Sequence, residues 1–276
     1  MKPLLNAKTA LALAVFSKKP SHALLLTAQE STGLDQITDY FLDLLAKTQS
    51  LKPQITRIVP DEKGTIGVET IRDLRSVLKL RNTTTQSISK VIIVEPIDAV
   101  TTQGQSALLK VLEEPVYGVL FVLQSYKQQM VLETINSRCV RIAILPVSLL
   151  EATEYFGYNN SDLPKNYLMS QGNAGLLMQL MSDNGHESVQ QINDAKILLA
   201  KPLFDKLAAV DLQYKKRIDV EILLVSLERL CSAAMRHGLQ TQKWINNTKA
   251  VLSAQKCLQA NVQPKLVLDQ LFISFG

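Results

Sequence analysis

The feature that most constrains this chain is a set of short apolar bursts separated by helical patterns. Residues 23–27 (ALLLT), 90–95 (KVIIVE) and 119–124 (VLFVLQ) are nearly continuous Leu, Ile, Val and Phe, and 54–59 and 140–144 read as two further strands. A strand that is apolar on both faces needs cover on both faces, which is the situation of a parallel sheet between helical layers. Helical periodicity fills the gaps over 33–47, 67–80, 101–113 and 128–135. The alternation predicts a βαβα order and a three-layer α/β domain with right-handed crossovers, its five strands largely buried.

After residue 145 the strand signal stops. Residues 146–184 carry short amphipathic helices separated by polar turns such as Gly157-Tyr158-Asn159-Asn160 and Gln171-Gly172-Asn173, and the rest is helical with long Leu-rich runs. Asp183-Asn184-Gly185-His186 is the expected linker. The reading is therefore an α/β domain (1–145), a small helical domain (146–184) and an all-α domain (185–276). Within the last, 220–230 and 266–272 are the expected apolar edge for assembly.

Composition removes several classes of function. Hydrophobic residues are 46% and charged residues 20%, a globular balance. The apolar run near the start, residues 10–16, is far short of a membrane span, and Lys18-Lys19-Pro20 stands where a signal-peptide cleavage site would sit. It reads as the first helix of a cytoplasmic protein. A net charge of +5 is compatible with a nucleic-acid partner without requiring one. Cys139, Cys231 and Cys257 are widely spaced, and His22, His186 and His237 are scattered, so neither a metal site nor a cofactor is expected.

The first strand-to-helix junction of such a domain is where nucleotide phosphates normally sit, and it needs a lysine for charge and a hydroxyl for Mg²⁺. Here the segment runs from Thr27 and Ala28 to Gly33, Leu34 and Asp35. Aligned on Gly33, the lysine position holds Leu34 and the hydroxyl position holds Asp35. Leu34 cannot neutralise a phosphate, and Asp35 and Glu30 repel one. A plain turn into a helix is the alternative. After the 90–95 strand, hydrolysis would need a carboxylate for Mg²⁺ and a second acid for water. Glu95 is followed by Pro96, so one of these is absent.

Residues 105–115 (QSALLKVLEEP) form an amphipathic helix with Ala107, Leu108, Val111 and Leu112 inward. Packing does not explain Glu113 and Glu114 at its C-terminal end, where the helix dipole disfavours acids. Further on, Ser137-Arg138-Cys139 opens the last strand, and Arg138 is expected at the domain edge. It serves either as a functional cation or as the partner of a local acid such as Glu133.

The ordered set KVIIVE, SALLKVLEEP and TINSRC resembles the clamp-loader branch of the AAA+ proteins, and within it the delta prime subunits of bacterial DNA polymerase III. SHALLLTA, IGVETIRDLRSVL and the C-terminal ANVQPKLVLDQLF extend the likeness over most of the chain. The resemblance implies an AAA+ domain, a helical lid and a helical collar in a heteropentamer with gamma/tau and delta subunits. It implies action on the sliding clamp and primer–template DNA through that complex. By the same resemblance, Ser137, Arg138 and Cys139 match the motif whose arginine serves as a finger in a gamma/tau neighbour's ATP site. A guanidinium suits this, being always charged and able to fork onto phosphate oxygens.

Departures from the family pattern are equally informative. Residues 46–60 contain no cysteine, so the family's four-cysteine zinc module is missing. The lid arginine of ATP-binding relatives is replaced by Gly175, within Gly172-Asn173-Ala174-Gly175. With the phosphate lysine, the Mg²⁺ hydroxyl, the second acid and the lid arginine absent, the expectation is a subunit that does not hydrolyse ATP and is not by itself an enzyme. The competing readings are an AAA+ ATPase with an atypical site and a stand-alone DNA-binding protein. For DNA, Arg72, Arg75 and Lys79 make a basic stripe on one helix face, with Arg81 just beyond. The alternative for that stripe is a solvated helix face.

Overall fold

A computed structural model describes residues 3–49, 52–79, 88–182, 187–236 and 241–275. Two compact units divide the chain, 1–151 and 152–276.

The first unit holds one five-stranded sheet: β1 (Ala23–Thr27), β2 (Gln54–Ile58), β3 (Lys90–Val94), β4 (Val119–Ser125) and β5 (Val140–Ala143). The order is β2-β3-β4-β1-β5 and every pairing is parallel. In the central strands successive residues point to opposite faces and feed two separate cores. Ala23, Leu25, Ile92, Val94, Phe121 and Leu123 join one core with α3 (Val68–Lys79) and α4 (Thr102–Glu113). Leu24, Leu26, Val91, Ile93, Leu120 and Val122 join the other with α1 (Ala7–Lys18) and α2 (Leu34–Gln49). At about 1.5–3 kcal/mol per buried side chain, these two faces supply the main stabilisation of the unit.

The expectation of five largely buried strands holds for β1, β3 and β4 only. β2 and β5 are mostly exposed, because the strand order leaves each at an edge. The helix expected over 128–135 is also two pieces, a 3₁₀ turn at Gln128–Met130 and the short α5 (Glu133–Asn136).

Local chemistry fixes the ends of the helices. Asn6 caps α1 by accepting from the Lys8 amide at 2.9 Å, and Thr101 caps α4 by accepting from the Gly104 amide at 3.1 Å. Ile66 pairs with the 97–101 segment, its amide donating to Ala99 O at 2.8 Å and its carbonyl accepting from Thr101 N at 3.1 Å. A side chain at Gly104 would meet Val100 Cγ1 at 2.7 Å, so a residue without Cβ permits this close approach. Ser148 and Glu151 form a capping box at the start of α6 (Leu149–Phe156): Ser148 N donates to Glu151 at 2.6 Å and Glu151 N donates to Ser148 Oγ at 3.2 Å.

The second unit is helical: α7 (Leu163–Ser170), α8 (Ala174–Leu180), α9 (Glu187–Ala200), α10 (Leu203–Gln213), α11 (Arg217–Arg236), α12 (Thr241–Gln259) and α13 (Pro264–Ser274). α7 packs on α11 and α8 on α9, so the helices on either side of 183–186 share one unit. The expected linker itself lies outside the described residues. The expected apolar edge is corrected. Val220, Leu223, Leu224 and Leu227, with Val267, Leu268, Leu271 and Phe272, are the core of this unit. Of the expected edge Leu266 is exposed, and the other exposed apolar side chains include Ile197, Leu203, Phe204, Leu212 and Ile273. Helical periodicity identifies an apolar face but does not say whether it meets the chain's own helices or a partner.

Candidate functional site

In a parallel sheet, ligand chemistry gathers at the carboxyl ends of the strands. Here those ends bring together Thr27 and Ala28, Glu95 and Pro96, Gln124 and Ser125. Every expected nucleotide-site position of the first unit lies on these junctions.

The phosphate-loop segment turns through Ser31 (φ 65°) and Gly33 (φ 78°) into α2. Its Thr32 hydroxyl donates to the Gln29 carbonyl at 2.6 Å. Leu34 is fully buried and belongs to the α1–α2 core, while Asp35 is exposed. The side chain at the lysine position thus points into the protein. Burial, with Asp35 the next contributor and Glu95 and Asp98 adding to it, raises the Tyr126 phenol above its ordinary value, and the Leu34 amide works against that rise. The tyrosine is therefore neutral beside the start of α2.

Glu95 is ion-paired. Arg57 on β2 donates to its Oε2 at 2.7 Å, and Gln124 Nε2 donates to the same oxygen at 3.2 Å. Arg57 also bridges to Asp39 on α2. Gln124 is held from the other side by Thr38 Oγ1 at 2.8 Å. Burial works against the Arg57 charge, but Glu95 and Asp39 outweigh it and hold its pKa above the usual arginine value. The Glu95–Pro96 peptide is cis.

The next turn is organised by Asp98. Its carboxylate accepts from Ser125 Oγ at 2.6 Å, Tyr126 N at 2.6 Å and Lys127 N at 2.9 Å. This fixes the segment carrying Tyr126 and Lys127, and Lys127 Nζ meets Glu30 at 3.3 Å. Lys127, Tyr126, Gln124 and Arg57 together reach the loop, the helix start and the acid.

Arg138 lies in the connection from α5 to β5, with 35% of its side chain exposed. Its partner is Glu113, the last residue of α4, at 2.7 Å. Nη1 donates to Thr134 O at 2.9 Å and meets Ser137 Oγ at 3.4 Å. This answers the question posed by the acidic end of α4: a cation from elsewhere in the chain offsets the unfavourable dipole. Cys139 packs beside the α3–α4 core, and burial pushes its thiol up to about 12.

Residues 48–148 match the family model described as DNA polymerase III, delta subunit. DNA polymerase III subunit delta′ of Pseudomonas aeruginosa is 28% identical over 158 residues, 55% of this chain and 48% of that protein. Its counterpart in Haemophilus influenzae is 33% identical over 87 residues, 32% of this chain and 26% of that protein. The resemblance to delta prime subunits of DNA polymerase III holds.

The aligned stretches span about half and about a quarter of those delta prime subunits. A DNA polymerase III gamma subunit-related protein of Thermotoga maritima superposes with a TM-score of 0.52 at 17% identity, covering 96% of this chain and 97% of that one. This likeness carries the fold, a parallel α/β sheet domain with further helices, and nothing more.

The remaining expected positions fall elsewhere. Gly175 is in α8 of the second unit, where Gln171 and Gly172 adopt left-handed backbone and Asn173 caps α8 by accepting from Leu176 N at 3.0 Å. The turn and cap account for the segment without a ligand. Arg72 is exposed on α3 and pairs with Glu69 at 2.7 Å. With Thr102, Gln103, Ser106 and Lys110 it lines a groove of about 470 Å³ between α3 and α4. Arg75 and Lys79 are in α3, but their side chains lie outside the described residues, as does Arg81 entirely. Among the described residues no cluster of His, Cys, Asp and Glu is arranged to hold a metal ion, and no helix is long and apolar enough to cross a membrane.

Arg57, Gln124, Tyr126, Asp98 and Lys127 were not singled out from the sequence. The signal for Arg57 is its place in an otherwise strand-like run, where it pairs with Ile93 two residues before Glu95, a relation readable only once the β2–β3 pairing is known. Gln105 is a further case. It is 3% exposed and joins α4 to the segment before Arg138, donating to Met130 O at 2.9 Å and accepting from Leu132 N at 2.9 Å.

Proposed function

We propose that this chain is a non-hydrolysing, delta prime-like subunit of a clamp loader, which supplies Arg138 to the ATP site of a gamma/tau-type neighbour. The observation that carries the reading is the ion pair of Glu95 with Arg57. The only carboxylate at the Mg²⁺ position already has a cation, and it comes from the chain itself. Leu34, buried in the core at the lysine position, acts in the same direction. The lysine position of the loop carries an apolar side chain that offers a phosphate no charge. Arg138 stands outside this closed constellation, at the surface, as a residue serving a neighbour must.

In this reading residues 146–184 are a lid and 185–276 a collar that joins gamma/tau and delta subunits. The exposed Leu203, Phe204 and Leu212 of α10 are the apolar surface for that assembly. The groove carrying Arg72 and Lys110 is the part of the chain that tracks the DNA backbone within the complex. The chain has no resident cofactor, and the loader works in the cytoplasm on the sliding clamp and primer–template DNA.

The test is reconstitution with gamma/tau- and delta-type subunits. Arg138→Ala is expected to lower the ATPase of the complex at least tenfold while assembly persists. Unchanged ATPase removes the finger role. ATP turnover by the purified chain, lost on changing Glu95, overturns the non-hydrolysing reading.

A further inference from the structure

We propose that Glu113 is a positioning residue for Arg138, parking the guanidinium on the chain's own surface until a neighbour's phosphates displace the carboxylate. The inference rests on the finger reading above. It adds the internal competitor that the finger must leave.

The pair joins residues 25 positions apart, from the end of α4 and the entry to β5. Its acid stands in a poor place for one. At the last residue of α4 the carbonyl ends of the helix present negative potential, so a carboxylate there repels its surroundings unless a cation is supplied. Arg138 supplies it at 2.7 Å. The guanidinium is also oriented, because Nη1 is shared between the Thr134 carbonyl and the Ser137 hydroxyl on the other side. Three oxygens therefore hold the group in one direction while it remains reachable, Glu113 being 47% and Arg138 35% exposed.

Such a hold is weak in the way a latch must be. An ion pair open to solvent is screened by water and salt, and is worth little beside a multiply charged phosphate in a closed interface. A triphosphate offers several oxygens and a larger charge than one carboxylate, so it wins the exchange once the neighbour's nucleotide is within reach. Thr134 O and Ser137 Oγ can keep Nη1 during the exchange, because they belong to the same turn as Arg138. The cost of releasing Glu113 is then charged against ATP engagement at the neighbouring site. Removing the carboxylate removes that cost.

The experiment is steady-state ATPase of the reconstituted complex with wild-type, Glu113→Gln, Glu113→Asp, Arg138→Ala and the Glu113→Gln/Arg138→Ala double variant. Glu113→Gln is expected to lower the KM for ATP by about two- to fivefold, the range an exposed ion pair supports. Glu113→Asp should return KM toward wild type, because the charge is restored. In the Arg138→Ala background Glu113→Gln should leave KM where it is, since the two act as one unit. An unchanged or raised KM in Glu113→Gln, or the same shift with Arg138 absent, overturns the inference. The finger reading fails separately, through an Arg138→Ala complex that hydrolyses ATP as wild type does. A structural role for Glu113 would lower the melting temperature without the KM shift, and this too counts against the latch.

Discussion

Arg57 Nη1 stands 2.7 Å from Glu95 Oε2, so the acid at the mouth of the sheet is neutralised from the neighbouring strand. Glu95 retains 12% exposure and Arg57 33%, which makes the pair much drier than an ordinary surface bridge. Breaking one side leaves a mostly desolvated carboxylate without its cation. Arg57→Met is expected to cost about 1–3 kcal/mol of stability, read as a lower urea midpoint at unchanged slope. Adding Glu95→Gln should recover part of the loss. Recovery of none would mean that Arg57 acts through Asp39 alone.

Restoring the missing lysine should not restore a nucleotide site. Leu34 is completely buried against α1 and α2, so Leu34→Lys places an ammonium in an apolar core. The expected outcome is destabilisation of about 3 kcal/mol or more, with no gain in Mg-ATP affinity by equilibrium binding. A stable Leu34→Lys protein that binds ATP would show that the loop reopens readily, and would weaken the non-hydrolysing proposal.

Much of this fold was legible because buried parallel strands leave a strong trace. KVIIV and VLFVL could hardly be anything else, and their alternation with helices set the layer order. What the sequence could not convey was lateral order: nothing in Gln54–Ile58 or Val140–Ala143 says that each lies at an edge. The candidate site could be listed from the sequence only as substitutions, Leu34, Asp35, Pro96 and Gly175, and its contacts could not. Arg57 meeting Glu95, and Arg138 meeting Glu113, join segments 38 and 25 residues apart, a relation that local periodicity does not carry. The helical unit failed differently. Leu-rich faces of α11 and α13 looked available for assembly, and they are the core because α9, α10 and α12 cover them.

Gln105 tests the connection from α4 toward Arg138. Its buried amide makes one donor and one acceptor contact with the backbone of the 130–132 segment, both at 2.9 Å. Gln105→Leu leaves those backbone groups without partners and is expected to cost about 2 kcal/mol by thermal or urea melting. Gln105→Glu turns the donor into a carboxylate oxygen facing the Met130 and Val100 carbonyls, so it should cost at least as much as Gln105→Leu. Equal stability of all three proteins would show that the buried amide is not a tie.

Glu151 offers an acid-side test. Burial opposes its ionisation, but hydrogen bonds from the amides of Ser148 and Ala7 and from the Ser148 hydroxyl outweigh this and hold the carboxyl below its ordinary range. A depressed folded-state pKa means that the stabilisation is present above the unfolded value and is lost as pH falls through the folded one. Glu151→Gln should therefore cost stability at pH 7 and progressively less as pH falls from the unfolded value of about 4 through the lower folded one, below which both proteins carry an uncharged side chain. Parallel curves of stability against pH would remove the linkage.

The thiols offer an alkaline-side test. Burial pushes Cys139 up to about 12 and Cys231 up to about 11, both from 9.0. At pH 8 the thiolate fraction of Cys139 is then about a thousandfold below that of a free thiol, and that of Cys231 about a hundredfold below. Alkylation by iodoacetamide in the native protein should be slowed by those factors, and denaturation should abolish the difference. The sign for stability follows. A raised folded pKa gives stabilisation that is complete below pH 9 and disappears as pH rises through the folded values toward 11 and 12. Cys139→Ala should flatten the upper part of that decline while losing some packing against the α3–α4 core at every pH. Native-state labelling of Cys139 at the rate of a free thiol would mean that the start of β5 opens far more often than its packing allows, and that Arg138 beside it is not held where the Glu113 pair requires.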